Sequence, residues 1–329
     1  MMEKRDFVNE EVEWKVDNIS VYGTITRPKD EATRSAVVFV AGSGPTDRDW
    51  CSPLLPGENG SGKLLAEALA NQGFLTLRYD KRASGPHVQE NIPKIIGRIS
   101  MQSHVDELSG AVETLIAGKY TEQNNLFVLT SSEGAIHALN YQLQTKIKFQ
   151  GMVLTGAPGR SIGQVARSQI YNQIKALPNA ETIMKLYDDA IAVFLMGKPV
   201  VPDSSLPEGI KQLMLSLANP ANLPFSRELW TYDLSEYIAK VKEPILVVIG
   251  KKDIQVNWLA DGEPLKKATA EESSVSLVYP ENADHVLKYE ENPRKKLTSE
   301  LILRYNAQDR HLDQEAENAI ISWLIKRTQ

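Results

Sequence analysis

Two adjacent serines lie where an apolar run meets a stretch of small residues, in the segment LFVLTSSEGAIHAL at positions 126–139. A serine at the sharp turn from a buried strand into a helix can act as a nucleophile when small residues two positions before and after it let strand and helix approach. Around Ser132 these positions hold Thr130 and Gly134, whereas around Ser131 both hold bulky side chains. The spacing favours Ser132 as the nucleophile; the competing interpretation is a serine that only caps a helix.

A serine nucleophile needs a base, usually a histidine that a carboxylate orients. Of the five histidines, His285 is the one that comes just after a predicted strand, in SVSLVYPENADHVLK. Asp253 follows another apolar run, in PILVVIGKKDIQV. Because the carboxyl ends of parallel strands share one edge of a sheet, we expect Ser132, Asp253 and His285 to form a catalytic triad there. Taken singly, Asp253 is also compatible with a turn and His285 with a surface loop.

Acyl transfer also needs N–H donors for the negative charge that develops on the carbonyl oxygen. One donor is expected from the backbone of Glu133, the residue after the nucleophile. The other is expected from the loop after an early strand, in VVFVAGSGPTDRDW, where glycines permit an unusual backbone path. We predict the Ser43 N–H as this second donor, with Gly42 as the neighbouring alternative.

Several short, nearly continuous apolar runs indicate strands that are buried on both faces. They alternate with helical candidates, which predicts parallel pairing with helices on both sides of the sheet. The strand segments are 35–42, 74–80, 126–130, 151–156 and 244–250, and the helical candidates include 62–73, 104–118 and 315–327. Ahead of them, two alternating segments separated by Asp17 and Asn18 predict an antiparallel hairpin.

Between about Arg160 and Arg227 the pattern changes to helices separated by prolines and polar turns. An insertion between two core strands explains this change. We therefore predict a core of residues 1–159 and 228–329 and a helical cap of residues 160–227. The Met and aromatic side chains of the cap are expected to form its own packing face; the alternative is a lid that lines a ligand pocket.

Composition narrows the classes of protein that fit. A chain of 329 residues that is 42% hydrophobic and 24% charged can bury a full core. Its formal charge of -5 gives no electrostatic reason to expect a nucleic acid or an anionic membrane as partner. The amino terminus lacks an apolar signal region and no stretch has the roughly 18 apolar residues of a membrane span, so a cytoplasmic protein is expected. Cys51, the single cysteine, excludes an intramolecular disulfide.

The motifs together resemble a known family. The set AGSGPTDRD, LRYDKR, a serine turn ending in S-E-G, GKKDIQV and a late D-H is similar to bacterial EstD-like carboxylesterases and, more distantly, to serine aminopeptidase-like hydrolases. The resemblance spans roughly Val37 to His285 and implies an α/β-hydrolase fold, a mostly parallel central sheet flanked by helices with an inserted helical cap. It also implies carboxylesterase activity with Ser132 as nucleophile, Asp253 as acid and His285 as base.

Three positions depart from the family pattern. Thr130 replaces the first glycine of the serine turn, Ser131 stands where histidine is frequent, and Ala83 follows D-K-R where glycine is usual. Thr130 adds a β-branched side chain at a crowded turn, which either shifts Ser132 or points sideways. This departure supports one alternative function, a non-catalytic binding protein on a hydrolase scaffold.

Two charged clusters accompany the motifs. We expect them to form charge pairs that hold the oxyanion loop, with binding of a substrate carboxylate by Arg48 or Arg82 as the alternative. His104 and His137 are expected to be packed histidines without a chemical role. The clusters consist of Asp47, Arg48 and Asp49 and of Asp80, Lys81 and Arg82.

The leading hypothesis is hydrolysis of a small-molecule ester of small or medium size through an acyl-enzyme on Ser132, without a metal or organic cofactor. Hydrolysis of acyl thioesters or peptides with the same triad is the enzymatic alternative, because specificity lies in the inserted helices and loops. The oligomeric state is left open. Nucleotide binding by GENGSGKL, residues 57–64, is disfavoured because Leu64 replaces the Ser or Thr that binds Mg²⁺.

Overall fold

The computed structural model describes residues 6–29, 33, 35–269 and 274–328. Within these ranges the strands are β1 (Phe7–Val16), β2 (Ile19–Pro28), β3 (Ala36–Val40), β4 (Leu75–Tyr79), β5 (Leu126–Ser131), β6 (Gly151–Thr155), β7 (Ile245–Val248) and β8 (Val275–Val278). They form one sheet in the order β1-β2-β4-β3-β5-β6-β7-β8. β2 pairs antiparallel with β1 and β4, and all other neighbours pair in parallel. The predicted mostly parallel sheet is confirmed.

Helices connect the parallel strands and cover both faces of the sheet. They are α1 (Ser61–Asn71), α2 (Val88–Ile95), α3 (Met101–Ala117), α4 (Gly134–Gln144), α5 (Ile162–Ile174), α6 (Ala180–Leu195), α7 (Glu208–Leu217), α8 (Phe225–Thr231), α9 (Ser235–Ile238), α10 (Gly262–Ala268) and α11 (Gln314–Ile325). Sequence periodicity did not reveal α2, α8, α9 and α10, because such short helices show too few turns. No helix in the described ranges is both long and apolar enough to cross a bilayer.

The amino-terminal hairpin lies where the alternating pattern predicted it. Asp17 and Asn18 join β1 to β2 with φ values of 50° and 61°. Two consecutive positive φ values suit the tight turn whose twist matches the strands of a hairpin, and Asp and Asn tolerate them better than most residues. Through β2 the hairpin extends the parallel sheet at β4.

Alternate side chains of each central strand face opposite layers of helices. In β3, Val38 and Val40 pack on the side of α3 and α4, whereas Val37 and Phe39 pack on the side of α1 and α11. Both sets are almost completely buried. This is why the central strands read as continuous apolar runs rather than as alternating ones.

The segment between β6 and β7 has an apolar core of its own. Helices α5, α6 and α7 pack around a cluster of buried side chains that is separate from the two layers of the sheet. The predicted boundary at residue 227 falls inside α8, where Trp230 packs with this cluster and Leu229 packs with the sheet. The division into a core and a cap at residues 160 and 227 stays a prediction. The cluster consists of Ile170, Ile174, Ala180, Ile183, Met184, Tyr187, Phe194, Leu206, Ile210, Met214 and Trp230.

A close approach between backbone segments fixes the turn after β5. A Cβ atom on Gly134 would lie 2.5 Å from the carbonyl oxygen of Val40 and 2.8 Å from that of Ala41. Because the opposing atoms belong to the backbone of β3 and the loop after it, they cannot move aside as a flexible side chain would. Glycine is therefore a steric requirement at the start of α4.

We expect Gly134→Ala to lower the free energy of unfolding by about 1–3 kcal/mol, because it overpacks this contact. Gly209→Ala is the matched control, since a Cβ at Gly209 in α7 meets no atom within 4 Å. The control should leave stability unchanged or raise it by up to about 1 kcal/mol, because alanine is the better helix former. Urea denaturation of both variants measures the difference, and equal stabilities would contradict the steric argument.

Candidate active site

Ser132, and not Ser131, occupies the strained position of the turn between β5 and α4. Ser131 remains in β5 and pairs with Thr155 of β6, whereas Ser132 has a φ of 51°. A positive φ on a residue that is not glycine is uncommon and marks functional turns of this kind. The Ser132 N–H donates a hydrogen bond to the Thr155 carbonyl at 2.7 Å, which anchors the turn to β6.

Thr130 is accommodated by the sheet and points away from the turn. Its hydroxyl donates a hydrogen bond to the Val153 carbonyl in β6 at 3.3 Å, and its own carbonyl accepts one from the Thr155 hydroxyl at 2.6 Å. The side chain is completely buried. The β-branched residue thus replaces glycine at this position without removing the positive φ of Ser132.

Asp253 and His285 form a buried hydrogen-bonded pair. Asp253 follows β7 and His285 follows β8, and the distance between His285 Nδ1 and Asp253 Oδ2 is 2.8 Å. The other carboxylate oxygen accepts the backbone N–H groups of Gln255 at 2.7 Å and Val256 at 2.9 Å. The loops that carry the pair are also in contact, because the Lys252 N–H donates to the Ala283 carbonyl at 3.0 Å. Asp253 is therefore fixed in a position from which it orients the imidazole.

This pairing determines the state of His285. An ionised carboxylate can only accept, so Nδ1 carries the proton in the neutral ring and Nε2 is the basic nitrogen. Burial lowers the pKa of His285, but the charge of Asp253 and the hydrogen bond to it outweigh burial and raise the pKa above its ordinary value of 6.5. His285 is thus suited to accept a proton near neutral pH.

The candidate nucleophile and base line one cavity of about 310 Å³. Its wall consists of residues from the loop 42–55, Ser131, Ser132, Gln255, His285, Val286, Ile302, Tyr305 and Asn306. Among the described residues there is no direct hydrogen bond between Ser132 and His285. Such bonds are often long in a free enzyme and tighten when substrate binds.

The loop after β3 lies directly against Ser132. A Cβ atom on Gly42 would be 3.3 Å from Ser132 Cβ and 3.2 Å from the Ser131 carbonyl oxygen, so the backbone of the loop reaches the turn. Within the described ranges, neither the Ser43 N–H nor the Glu133 N–H donates to a protein acceptor. Two unpaired backbone donors near the nucleophile are what an oxyanion hole requires, and the assignment of Ser43 and Glu133 to that role stays a prediction.

Lys81 stabilises this loop through two hydrogen bonds. Its ammonium is buried and donates hydrogen bonds to the carbonyls of Gly42 at 2.6 Å and Gly44 at 2.7 Å, the residues on either side of Ser43. Burial lowers the pKa of Lys81, and the charges of Glu133 and Glu107 act against this lowering. The cluster that contains Lys81 was expected from the sequence to hold this loop through charge pairs, whereas Lys81 holds it through hydrogen bonds to two backbone carbonyls.

Glu133 balances the charge of Lys81. Burial raises the pKa of Glu133, but the hydrogen bond with His137 and the charge of Lys81 outweigh it and lower the pKa to about 2. Burial also lowers the pKa of His137 to about 4, so this imidazole is neutral at pH 7 and its Nε2–H donates to Glu133 Oε1 at 3.1 Å. His104 stacks on His137 with ring centroids 4.2 Å apart. Both histidines are packed supports, as expected.

Arg48 and Arg82, the two arginines of the charged clusters, form ion pairs in the loop after β3 and at the turn of the hairpin. The Arg48 guanidinium binds Asp80 through Nε at 2.9 Å and Nη2 at 2.7 Å. The Arg82 guanidinium binds Glu107 at 2.9 Å and Asp17 at 3.0 Å. Neither arginine lines the cavity, so the alternative of substrate-carboxylate binding by Arg48 or Arg82 finds no geometric support.

The glycine-rich segment 57–64 packs against the protein itself. A Cβ on Gly57 would lie 2.2 Å from the Asn306 carbonyl oxygen, and one on Gly60 would lie 1.9 Å from that of Asp49. The Gly62 N–H at the start of α1 donates to the Asp49 carbonyl at 3.0 Å. These contacts explain the glycines without a phosphate. Among the described residues, no group of three His, Cys, Asp or Glu side chains is placed to hold a metal ion.

Comparison with known proteins agrees with this architecture. The sequence profile of the family described as "Serine aminopeptidase, S33" matches residues 60–191, which include the Ser132 turn. Esterase EstD of Thermotoga maritima is 26% identical over 306 residues, which cover 92% of this chain and 65% of the esterase. The chain thus spans just under two thirds of the length of that relative.

Solved structures share the fold at low sequence identity. Esterase Pf2001 of Pyrococcus furiosus matches with a TM-score of 0.56 and 16% identity, covering 98% of this chain and 94% of that one. A proline iminopeptidase of Mycobacterium smegmatis matches with a TM-score of 0.57 and 13% identity, covering 97% and 99%. Since an esterase and a peptidase match equally well, these likenesses show the fold and leave the substrate open.

The raised pKa of His285 predicts the pH dependence of turnover. The base must be unprotonated, so kcat/KM should be full above the pKa of His285 and fall as the pH drops through it, with a midpoint above 6.5. Asp253→Asn removes the charge that raises this pKa. The variant should lose roughly 10³–10⁴-fold in kcat, and its residual activity should titrate at a lower pH. Initial rates between pH 5 and 9 on a small ester test this; an unshifted midpoint in the variant would contradict it.

The contact between Lys81 and the oxyanion loop predicts a loss of turnover when the ammonium is removed. Lys81→Met should lower kcat by roughly 10²–10³-fold, the scale seen when an oxyanion donor is lost. Lys148→Met is the control, because Lys148 is half-buried and also donates to a backbone carbonyl, that of Gln142, but neither Lys148 nor Gln142 lines the cavity. We expect both variants to lower the melting temperature, but only Lys81→Met to lower kcat strongly. Similar kcat values in two folded variants would contradict the role of Lys81.

Proposed function

We propose that this protein, which has the α/β-hydrolase fold, is a serine esterase that hydrolyses small or medium carboxylic esters through an acyl-enzyme on Ser132. The observation that carries the proposal is the buried Asp253–His285 pair, which opens on the same cavity as a serine held at a positive φ. The family resemblance and the esterase relative support the same reaction class.

In this proposal the polar groups of the site act in sequence. His285 Nε2 takes the proton of Ser132 as Oγ attacks the ester carbonyl, and Asp253 stabilises the imidazolium that forms. The backbone N–H groups of Ser43 and Glu133 stabilise the negative oxygen of the tetrahedral intermediate. His285 then gives its proton to the leaving alcohol. Water, deprotonated by His285, hydrolyses the acyl-enzyme and restores Ser132.

The alternative of a non-catalytic binding protein depended on Thr130. Because the Thr130 hydroxyl is bonded within the sheet and Ser132 keeps its positive φ, this residue no longer argues against activity. The buried carboxylate and imidazole also favour an enzyme, since an unused buried charge pair is costly to maintain.

The two adjacent serines provide a matched test. We expect a fluorophosphonate to add once to the wild type and to Ser131→Ala, and not at all to Ser132→Ala, because Ser132 lines the same cavity as His285 and, unlike Ser131, has the positive φ. Intact-mass spectrometry detects the adduct without requiring the natural substrate. Hydrolysis of p-nitrophenyl acetate, measured in parallel, should fall by roughly 10⁴-fold or more in Ser132→Ala and by less than about tenfold in Ser131→Ala.

Two outcomes would contradict the proposal. An adduct on folded Ser132→Ala would assign the nucleophile to another residue. A folded wild type that neither forms an adduct nor hydrolyses any ester would instead favour the binding protein.

A further inference from the structure

We infer that the cavity beside Ser132 takes a small, uncharged ester, and that the wall formed by Ile302 and Tyr305, not the helical insertion, limits the chain length that fits. The inference rests on the proposed esterase function and narrows it to a substrate class. It concerns a region, residues 299–306, that the sequence analysis did not connect with the site.

The insertion contributes no side chain to the cavity. All of its lining residues come from the loop 42–55, from the turns that carry Ser132, Asp253 and His285, and from residues 302–306. The apolar side chains of α5, α6 and α7 are instead buried against each other. The sequence analysis assigned specificity to the inserted helices and loops; the cavity lining favours the loops alone.

The wall formed by Ile302 and Tyr305 is firmly attached. Residues Ser299–Arg304 form a short 3₁₀ helix, and the Tyr305 carbonyl that follows it accepts a hydrogen bond from the buried ammonium of Lys288 at 2.7 Å. The Tyr305 hydroxyl accepts one from Gln255 at 3.1 Å. The Asn306 carbonyl accepts one from the backbone N–H of Asn59 at 3.1 Å. A wall held at three points does not yield easily to a longer substrate.

The lining of the cavity offers no charge to a substrate. Within the described ranges it contains no Asp, Glu, Lys or Arg side chain, and the groups that can titrate there are His285 and Tyr305. Burial raises the pKa of Tyr305 well above its usual value, so the phenol stays neutral. Burying a charged group without a partner is costly. A substrate with an ammonium group, as in the amino-terminal residue of a peptide, therefore finds no counter-charge here.

The volume limits the size of the ester. A cavity of about 310 Å³ is at the lower end of the range for ligand pockets. This size favours an ester with a short acyl chain over one with a long chain. Leu54 lies at the rim with 78% of its surface exposed, so part of a larger leaving group can extend into solvent.

Two half-buried isoleucines allow a matched experiment. Ile302 lines the cavity, whereas Ile191 of α6 packs in the insertion. The rates to compare are kcat/KM for p-nitrophenyl esters from acetate to decanoate, in the wild type, Ile302→Ala and Ile191→Ala. Inactivation rates with fluorophosphonates that carry ethyl or decyl chains provide a readout independent of turnover.

In the wild type, kcat/KM should fall roughly tenfold from butyrate to decanoate, because methylene groups that do not fit the cavity lower kcat/KM by this factor or more. Ile302→Ala should raise the decanoate-to-butyrate ratio roughly tenfold, and Ile191→Ala should leave it within about twofold. A wild-type kcat/KM that does not change with chain length would overturn the inference. So would a decanoate-to-butyrate ratio that changes in Ile191→Ala but not in Ile302→Ala. Absence of any fluorophosphonate adduct would instead refute the proposed nucleophile, which keeps the two failures apart.

The charge of the substrate is tested with ethyl esters of similar size. Ethyl butyrate should be hydrolysed roughly 100-fold faster in kcat/KM than alanine ethyl ester or monoethyl succinate, because the cavity offers neither charge a partner. Titration of the released acid at pH 7 follows all three reactions, because an α-amino group with a pKa of about 7.7–8.0 is still mostly protonated there. Equal or faster hydrolysis of the alanine ester would overturn the uncharged-substrate assignment and favour the aminopeptidase alternative.

Discussion

The arrangement around Ser132 depends on one buried positive charge, the ammonium of Lys81. A charge that is removed from water must find partners, and Lys81 finds them in the carbonyls of Gly42 and Gly44. These contacts turn the carbonyls on both sides of Ser43 toward the interior. The N–H of Ser43 is left without a protein acceptor among the described residues, close to the nucleophile. The hydrogen bonds that Lys81 requires thus fix the backbone of the loop whose N–H group the proposed chemistry uses.

Glu133 connects this constraint to the nucleophilic turn. Its backbone follows Ser132 directly, while its carboxylate is buried, kept ionised and opposed to the charge of Lys81. A similar buried pair, Arg82 with Glu107, extends through Asp17 to the turn of the amino-terminal hairpin. Charges that would be costly alone therefore hold together elements far apart in the chain, and removal of either partner leaves the other uncompensated. The buried charges of this site therefore stabilise its architecture.

Local patterns were sufficient to predict the strands, the longer helices and the order of the chemical groups. Apolar runs indicated the parallel strands. The spacing of small residues distinguished Ser132 from Ser131, because the residue two positions after the nucleophile must be glycine. The structure gives the reason, since a Cβ on Gly134 would collide with the Val40 carbonyl. The same patterns could not show that Thr130 turns into the sheet, since this depends on a carbonyl in β6, at Val153. Residues 299–306 carried no recognisable motif. Their part in the cavity arises only where the segment packs against Asn59 and Lys288.

The sequence by itself determined the strand and helix alternation and the residue types of the candidate triad. These depend on burial patterns and side-chain chemistry, which are local properties of the chain. Only the tertiary structure showed which buried charges pair, that Lys81 binds two carbonyls of the loop after β3, and that Ile302 and Tyr305, and not the insertion, line the cavity. The physical reason is that distances between residues far apart in sequence, and the volume they enclose, come from the packing of whole elements and have no local signature.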